Sequence, residues 1–365
     1  MGWNSWNHFR CKGLNQGVVL ETADAMVASG MRDRGYQYLV IDDCWQDFTR
    51  TESGHLTSHP ERFSMGMERI GQEIHDRGLK FGLYLSPGRQ TCAMIYDKYG
   101  GRDIGSFGFE QRDADLLASW GVDYLKYDWC QADRGDTGLT TEQAFETMAH
   151  CLANTGRDMV YSISEYGQTK PWMWAGQYAH MSRTTADIAP YWWSIMRLAN
   201  QQDGLAQYAR PGQWNDPDML QVGNGRLNAI DSRTHFMLWV MLAAPLMAGN
   251  DLRTMSAETT QLLTHDGLIA VSQDPAGRQG QRISRAGRID VWRRELADGA
   301  VHGFLNRGPL ATTLKVANGE VYGRRGGVLA RLGTNPTNVW TGEELGQGDH
   351  RLVLAPHEMV LIRHG

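Results

Sequence analysis

Short β-favouring runs alternate eight times with helical patterns over about the first 275 residues of this 365-residue chain, and most of the runs end on an acid or a tyrosine. The runs are Gly2–Trp6, Tyr38–Trp45, Lys80–Pro87, Val122–Asp128, Met159–Gly167, Met181–Ile188, Gln213–Met219 and Pro245–Asp251. Between them, apolar residues recur at helical spacing, as in Leu20, Ala23, Met26, Val27 and Met31, in Met67, Ile70 and Ile74, and in Phe236 to Ala244. Strict β-then-α alternation predicts parallel strands with crossover helices, either closed into a (β/α)8 TIM barrel or left as an open doubly wound sheet. No G-x-G-x-x-G follows any of the runs, which removes the main signature of the open sheet. The barrel is the predicted α/β architecture.

The pattern changes near Gln273–Gly280. Beyond it lie short alternating runs, Ile289–Leu296, Val301–Asn306, Thr313–Val316, Val339–Thr341, Arg351–Leu354 and Met359–Ile362, separated by turn signals such as Ala297-Asp-Gly299 and Asn318-Gly-Glu320. The predicted organisation is a catalytic barrel over residues 1–278 and a small C-terminal antiparallel β sandwich over 279–365. With no low-complexity linker between them, the two are expected to pack directly.

A net charge of −5 and a pI near 6.2 give no basis for a nucleic-acid or anionic-membrane partner. No run of 18 apolar residues is present to span a bilayer. Met1 leads straight into the first run with no leader visible, which leaves processing or a late start open. Nothing in the sequence fixes an oligomeric state. Of the five cysteines, Cys44 and Cys130 stand just past strand ends and Cys11 and Cys92 in the loops after other strands. Neighbouring barrel loops could pair them, implying an oxidising compartment; zinc is the rival, without a C-x-x-C or a spaced histidine pair to support it. Cys151 falls on the apolar face of a helix and is expected to be a buried free thiol.

Barrel enzymes work at the carboxyl ends of their strands. Those ends deliver Trp3, Asp42 with Asp43, Tyr84, Lys126 with Asp128, Glu165, Arg183 with Asp187, and Asp218. Lys126 and Asp128 are two apart on one strand and share a face, so an ionised Asp128 beside the lysine is placed as a nucleophile. Any one of these acids alone reads better as a cap or a structural ion pair. Six ends supplying a carboxylate or a tyrosine to one rim do not. Such a rim could hold a divalent metal, but none of the twelve histidines falls at these positions. It could also cleave a glycoside, with two carboxyl groups about the anomeric carbon and Trp3, Trp45, Tyr84, Trp129 and Tyr166 as candidate sugar walls. A Schiff-base role for Lys126 is disfavoured, because Asp128 raises the lysine's pKa.

With these residues in place, the chain resembles glycoside hydrolase family 27, the α-galactosidases, over essentially its whole length. The resemblance is carried by Met1-Gly-Trp-Asn-Ser-Trp6, Ile41-Asp-Asp-Cys-Trp45, Leu125-Lys-Tyr-Asp128, Trp214-Asn-Asp-Pro-Asp-Met219 and Ser272-Gln-Asp-Pro275, in that order. It implies a barrel with a C-terminal β domain and a retaining double displacement without metal or organic cofactor. Asp128 takes the nucleophile's place, and Asp187, whose pKa should be raised, the acid/base's. Trp3, Asp42, Asp43, Tyr84, Lys126, Glu165, Arg183 and Asp218 match the galactose-binding positions. The resemblance also implies disulfides Cys11–Cys44 and Cys92–Cys130, and with them an extracellular or periplasmic location.

Within that family, the resemblance implies that aspartate at both 42 and 43 suits the axial O4 and the O6 of galactose, and that glutamate at 165, where the α-N-acetylgalactosaminidases carry a small residue, favours a free 2-hydroxyl. The expected substrate is therefore a terminal α-linked galactoside. The alternatives are an α-N-acetylgalactosaminidase, a β-L-arabinopyranosidase, or a non-catalytic galactose-binding protein; retention of both Asp128 and Asp187 speaks against the last. The chain departs from many family members in reading Ser164-Glu165-Tyr166 for Cys-Glu-Trp, and in placing Trp129 after the nucleophile.

Overall fold

The computed structural model describes residues 1–133, 137–324, 326–346 and 348–365. The chain opens with β1 (Gly2–Asn4), α1 (Trp6–Gly13), α2 (Gln16–Ala28), β2 (Tyr38–Ile41), α3 (Met67–Asp76), β3 (Lys80–Leu85) and α4 (Cys92–Tyr96). It continues through α5 (Glu110–Ser119), β4 (Tyr124–Asp128), α6 (Thr141–Asn154), β5 (Val160–Ser164) and β6 (Met181–Arg183). Then come α7 (Trp192–Gln201), β7 (Trp214–Asp216), α8 (Ala229–Met241), β8 (Met247–Ala248), α9 (Ala257–Leu263) and α10 (Asp266–Ser272). Two compact units emerge, Met1–Asp187 with Leu246–Met255, and Ile188–Pro245 with Ser256–Gly365.

In the first unit the parallel strands pair in the order β6, β5, β4, β3, β2, β1, β8. Their apolar residues are buried on both faces, as parallel strands under helices require; Leu39, Val40 and Ile41 of β2 and Leu125 and Tyr127 of β4 are fully covered. Gly82 of β3 has no room for a Cβ, which would meet Val40 of the next strand at 2.8 Å. The register sets Lys126 between Tyr84 and Ser162, and Asp128 opposite Ser164. Outside, α3 buries Met67, Ile70 and Ile74 and stops ahead of Gly78, whose φ of +72° is the left-handed turn expected at a helix end.

Two expectations need correction. The first strand stops at Asn4, and Trp6 already belongs to α1, because the Asn4 side chain accepts a 2.8 Å bond from the Trp6 N–H and turns the chain. Cys11 lies on α1, and Cys92 begins α4, where the Thr91 side chain caps the helix by accepting from the Met94 N–H, rather than either lying in a loop. The two disulfides do form, Cys11–Cys44 and Cys92–Cys130, with Cα separations of 5.3 and 4.8 Å. Cys151 is a buried free thiol, as its helical face predicts.

The second unit carries α7, β7, α8, α9, α10 and the antiparallel strands β9 (Gln281–Ala286), β10 (Ile289–Leu296), β11 (Gly299–Asn306), β12 (Thr312–Ala317), β13 (Glu320–Tyr322), β14 (Val328–Arg331), β15 (Thr337–Asn338), β16 (His350–Leu354) and β17 (Met359–His364). They form two sheets, ordered β15-β17-β11-β10-β9 and β14-β13-β12-β16. Val291, Phe304, Leu314, Val316, Val321 and Ile362 fill the core between them. The strand expected at Val339–Thr341 is a turn: the Asn338 carbonyl side chain accepts from the N–H groups of Trp340 and Thr341, so pairing ends at Asn338. Helices pack directly on these strands. Arg294 of β10 is buried and donates to the carbonyls of Val240 on α8 and Ser272 on α10, while Thr234 of α8 donates to the His357 carbonyl at 2.7 Å.

Candidate active site

β1 to β6 and the residues just beyond them bring together nine of the ten sequence-derived candidates in the first unit. Trp3 is fully buried, its indole N–H donating to the Asn250 carbonyl at 2.8 Å. Asp42 and Asp43 follow β2 directly and are 1% exposed. Asp42 Oδ2 accepts 2.7 Å bonds from Asn4 Nδ2 and Lys126 Nζ, and its Oδ1 takes the Asp43 N–H. Asp43 accepts from the backbone N–H groups of Cys44 and Ala93, both at 2.7 Å. Burial, assisted by the neighbouring Asp42 charge, pushes Asp43 up to about 7 despite these donors.

Lys126 stands at the centre of the cluster. Its Nζ lies 3.8 Å from Asp128 Oδ2 and 5.3 Å from the centre of the Tyr84 ring. Burial lowers the affinity of this ammonium for its proton, but Asp42 and Asp128 outweigh burial and hold it charged. An amine held charged in this way is unsuited to a Schiff base. Asp128 is 5% exposed, and its Oδ1 accepts a 2.6 Å bond from the Tyr166 hydroxyl. Burial raises its carboxyl pKa, against the pull of Lys126 and Tyr166. The lysine alone therefore does not set its ionisation, contrary to the simple strand-face argument.

Glu165 follows β5 and is buried; its Oε2 accepts from the Thr169 N–H and hydroxyl, while Oε1 is buried with no protein partner among the described residues. Burial pushes it up to about 7. Arg183 ends β6 and bonds the Thr185 carbonyl at 3.1 Å and Asp187 Oδ1 at 3.0 Å. Asp187 differs from the other acids in that its side chain is 69% exposed. What desolvation it has is overcome by the Arg183 charge and hydrogen bond, which hold its carboxyl below the usual range. The raised pKa expected for an acid/base is absent from the substrate-free site, because the arginine pairs with it. Asp128 and Asp187 sense each other's charge.

Asp218, the tenth candidate, lies in the second unit two residues past β7. It is buried with φ +85°, and its carboxylate accepts from the N–H groups of Met219 and Ile188, each at 2.7 Å. There it shapes the chain that runs on from Asp187.

The Cys92–Cys130 disulfide borders Asp128. Tyr84 Oη is 3.0 Å from Cys130 Sγ, and Tyr166 Oη is 3.2 Å from Cys92 Sγ. Among the described residues, Cys92, Asp128 and Cys130 are the grouping whose ligand-type atoms converge, within 4.8 Å. Both sulfurs are spent in the disulfide and offer no thiolate to a metal.

Residues 1–274 match the family described as Alpha galactosidase A, and residues 286–364 match its C-terminal β sandwich domain. Alpha-galactosidase 2 of Arabidopsis thaliana is 41% identical over 88% of this chain and 78% of that protein. Alpha-galactosidase A of Cellvibrio japonicus is 38% identical over 100% of this chain and 91% of its own. The chain belongs to glycoside hydrolase family 27, the α-galactosidases.

The crystal structure of alpha-galactosidase I from Mortierella vinacea superimposes with a TM-score of 0.87 at 30% identity, covering 100% of this chain and 96% of that one. The fold is a (β/α)8 barrel followed by an antiparallel β sandwich, and the protein is a glycoside hydrolase of the α-galactosidase class. One contributor to the site of this family 27 chain escaped the sequence reading, and the hydrogen bond made by another did too. Asn4 holds Asp42 from within the Gly-Trp-Asn-Ser motif, where its place at a strand end was a usable signal. Tyr166 reads from sequence as a sugar wall, and nothing in its spacing announces the bond of its hydroxyl to Asp128.

Proposed function

We propose that this α-galactosidase is exo-acting and retaining, and that it removes terminal α-linked galactose through a covalent galactosyl-enzyme ester on Asp128. The observation that carries this reading is the contrast between two carboxyls that sense each other's charge: Asp128 buried and fixed at one oxygen, Asp187 exposed and tied to Arg183. In the first half-reaction an Asp128 oxygen bonds to the anomeric carbon, the bond to the leaving oxygen breaks, and Asp187 gives that oxygen its proton. In the second, Asp187 takes a proton from a water whose oxygen replaces Asp128 at the anomeric carbon. The low pKa that Arg183 imposes on Asp187 suits the second half. Protonation for the first half requires a bound sugar to exclude water and to draw the arginine's donor away.

Asp42 and Asp43 are assigned to O4 and O6 of galactose, the Oε1 of Glu165, unpaired among the described residues, to the 2-hydroxyl, and Lys126 and Arg183 to charged donation. Trp3 and Tyr84 complete the proposed galactose site within the first unit. The two disulfides support an oxidising compartment, extracellular or periplasmic. Among the described residues, no helix is long and apolar enough to cross a membrane.

The test is a set of initial rates on aryl α-galactoside, α-N-acetylgalactosaminide and β-L-arabinopyranoside, with wild type and Asp128→Ala. Selective hydrolysis of the α-galactoside that disappears in the variant supports the proposal. Preference for another sugar, or full activity in Asp128→Ala, contradicts it.

A further inference from the structure

The backbone at Tyr166 is held in an unusual state. Its φ is +64°, a left-handed conformation that is uncommon for a bulky side chain and persists only where surroundings enforce it. The next residue, Gly167, is also left-handed at φ +77°, and a Cβ there would run into the Thr184 carbonyl beyond β6. This double turn aims the Tyr166 ring back toward β4. Its hydroxyl sits 2.6 Å from Asp128 Oδ1 and 3.2 Å from Cys92 Sγ, and the Arg183 guanidinium lies 5.8 Å from the ring centre.

We infer that Tyr166 is a positioning residue for the nucleophile: its hydroxyl pins Asp128 Oδ1 and leaves Oδ2, the oxygen on the Lys126 side, to attack the anomeric carbon. The inference deepens the proposed function and rests on Asp128 being the nucleophile. A carboxylate with one oxygen fixed cannot rotate away from the reaction line, and a hydrogen bond to an ionised acceptor is stronger than one between neutral groups. In the ester, Oδ1 becomes the carbonyl oxygen and keeps its donor. When water displaces Asp128, the returning negative charge again meets the hydroxyl, so the bond favours departure of the carboxylate. Burial and the Asp128 charge hold the Tyr166 hydroxyl protonated far above the ordinary tyrosine range, so it remains a donor throughout.

The other charged and titratable groups that act on Asp128 are Lys126 on the same strand, Asp42 after β2, Tyr84 on β3 and Asp187 after β6. None of them removes the effect of losing this donor. Without it, burial acts on Asp128 with one less opposing hydrogen bond, and the pH needed to ionise the nucleophile rises.

The test compares Tyr166→Phe and Tyr166→Leu, neither of which carries a donor, with wild type in pH profiles of kcat/KM, and in the reactivation rate of enzyme labelled by a 2-fluoro-galactosyl donor. The account expects the acid limb to move up by about one pH unit in both variants and reactivation to slow roughly 10- to 100-fold. An acid limb and reactivation rate equal to wild type in either variant would overturn the inference. Should either variant fail to fold, 3-fluorotyrosine at position 166 keeps the shape and strengthens the donor; the acid limb must then move down, and no movement overturns the inference. Asp128→Ala, run alongside, separates the two layers. Retained activity there sinks the nucleophile assignment itself, whereas an inactive, unlabelled Asp128→Ala beside wild-type-like Tyr166 variants sinks only the role of Tyr166.

Discussion

Lys126 makes its closest contact with Asp42, at 2.7 Å, and stands 3.8 Å from Asp128, its neighbour on the same strand. Both members of the Lys126–Asp42 pair are buried, with side chains 13% and 2% exposed. The lysine therefore anchors the Asp42 carboxylate, proposed to bind substrate, and reaches the proposed nucleophile only as a longer-range charge.

Lys126→Met should be strongly destabilising, because it strands Asp42 beside Asn4 as a buried charge without a counterion. A loss of about 3–5 kcal/mol is expected. Lys126→Met combined with Asp42→Asn should recover a large part of it, since both charges are then gone. Denaturant titration of the two single variants and the double variant measures the coupling; additive losses would contradict the pairing.

The Cys92–Cys130 disulfide joins residues 38 apart and borders both tyrosines at Asp128. Cys92→Ala with Cys130→Ala should lower stability by about 3–4 kcal/mol through loop entropy. Activity measured well below the melting temperature should also fall, by an order of magnitude or more, because Tyr84 and Tyr166 lose the surface that seats them. Thermal melts and rates on an aryl α-galactoside check both. Unchanged rates in the folded variant would show that the bridge serves stability alone.

Glu165 gives a pH signature of definite sign. Its carboxyl rises from 4.5 to about 7 on folding, chiefly through burial. The unfolded chain therefore ionises first. The stability that Glu165 contributes is fully present below pH 4.5 and is lost as pH rises toward 7. Glu165→Gln removes this dependence, so the variant should gain on wild type by roughly 2–3 kcal/mol between pH 4.5 and 7.5. Melting curves across that range decide it, and parallel curves would contradict it. Asp43 contributes with the same sign.

Much of this molecule is legible in its sequence because strand ends carry chemistry. Runs such as Tyr38–Ile41 and Tyr124–Asp128 are rich in β-favouring residues and alternate with helical patterns, which reads as buried strands, and alternation along the strand places Lys126 and Asp128 on one face. The sandwich is less legible. β9 is mostly exposed and shows no apolar alternation, while β13 and β14 are three and four residues long, too short to stand out from turns. At the site, sequence names the acids but not their environments. Nothing in the spacing of Arg183 and Asp187 says that their bond lowers the acid's pKa, and the left-handed turn at Tyr166 that delivers its hydroxyl to Asp128 depends on packing against the strand beyond it.

The most direct test of the account is to label the enzyme with a 2-fluoro-galactosyl donor and map the modified peptide by mass spectrometry. The account predicts one galactosyl group in ester linkage to Asp128, with α-galactose as the first-formed product of normal turnover by NMR. A label on any other residue, or no label together with β-galactose as first product, would contradict it.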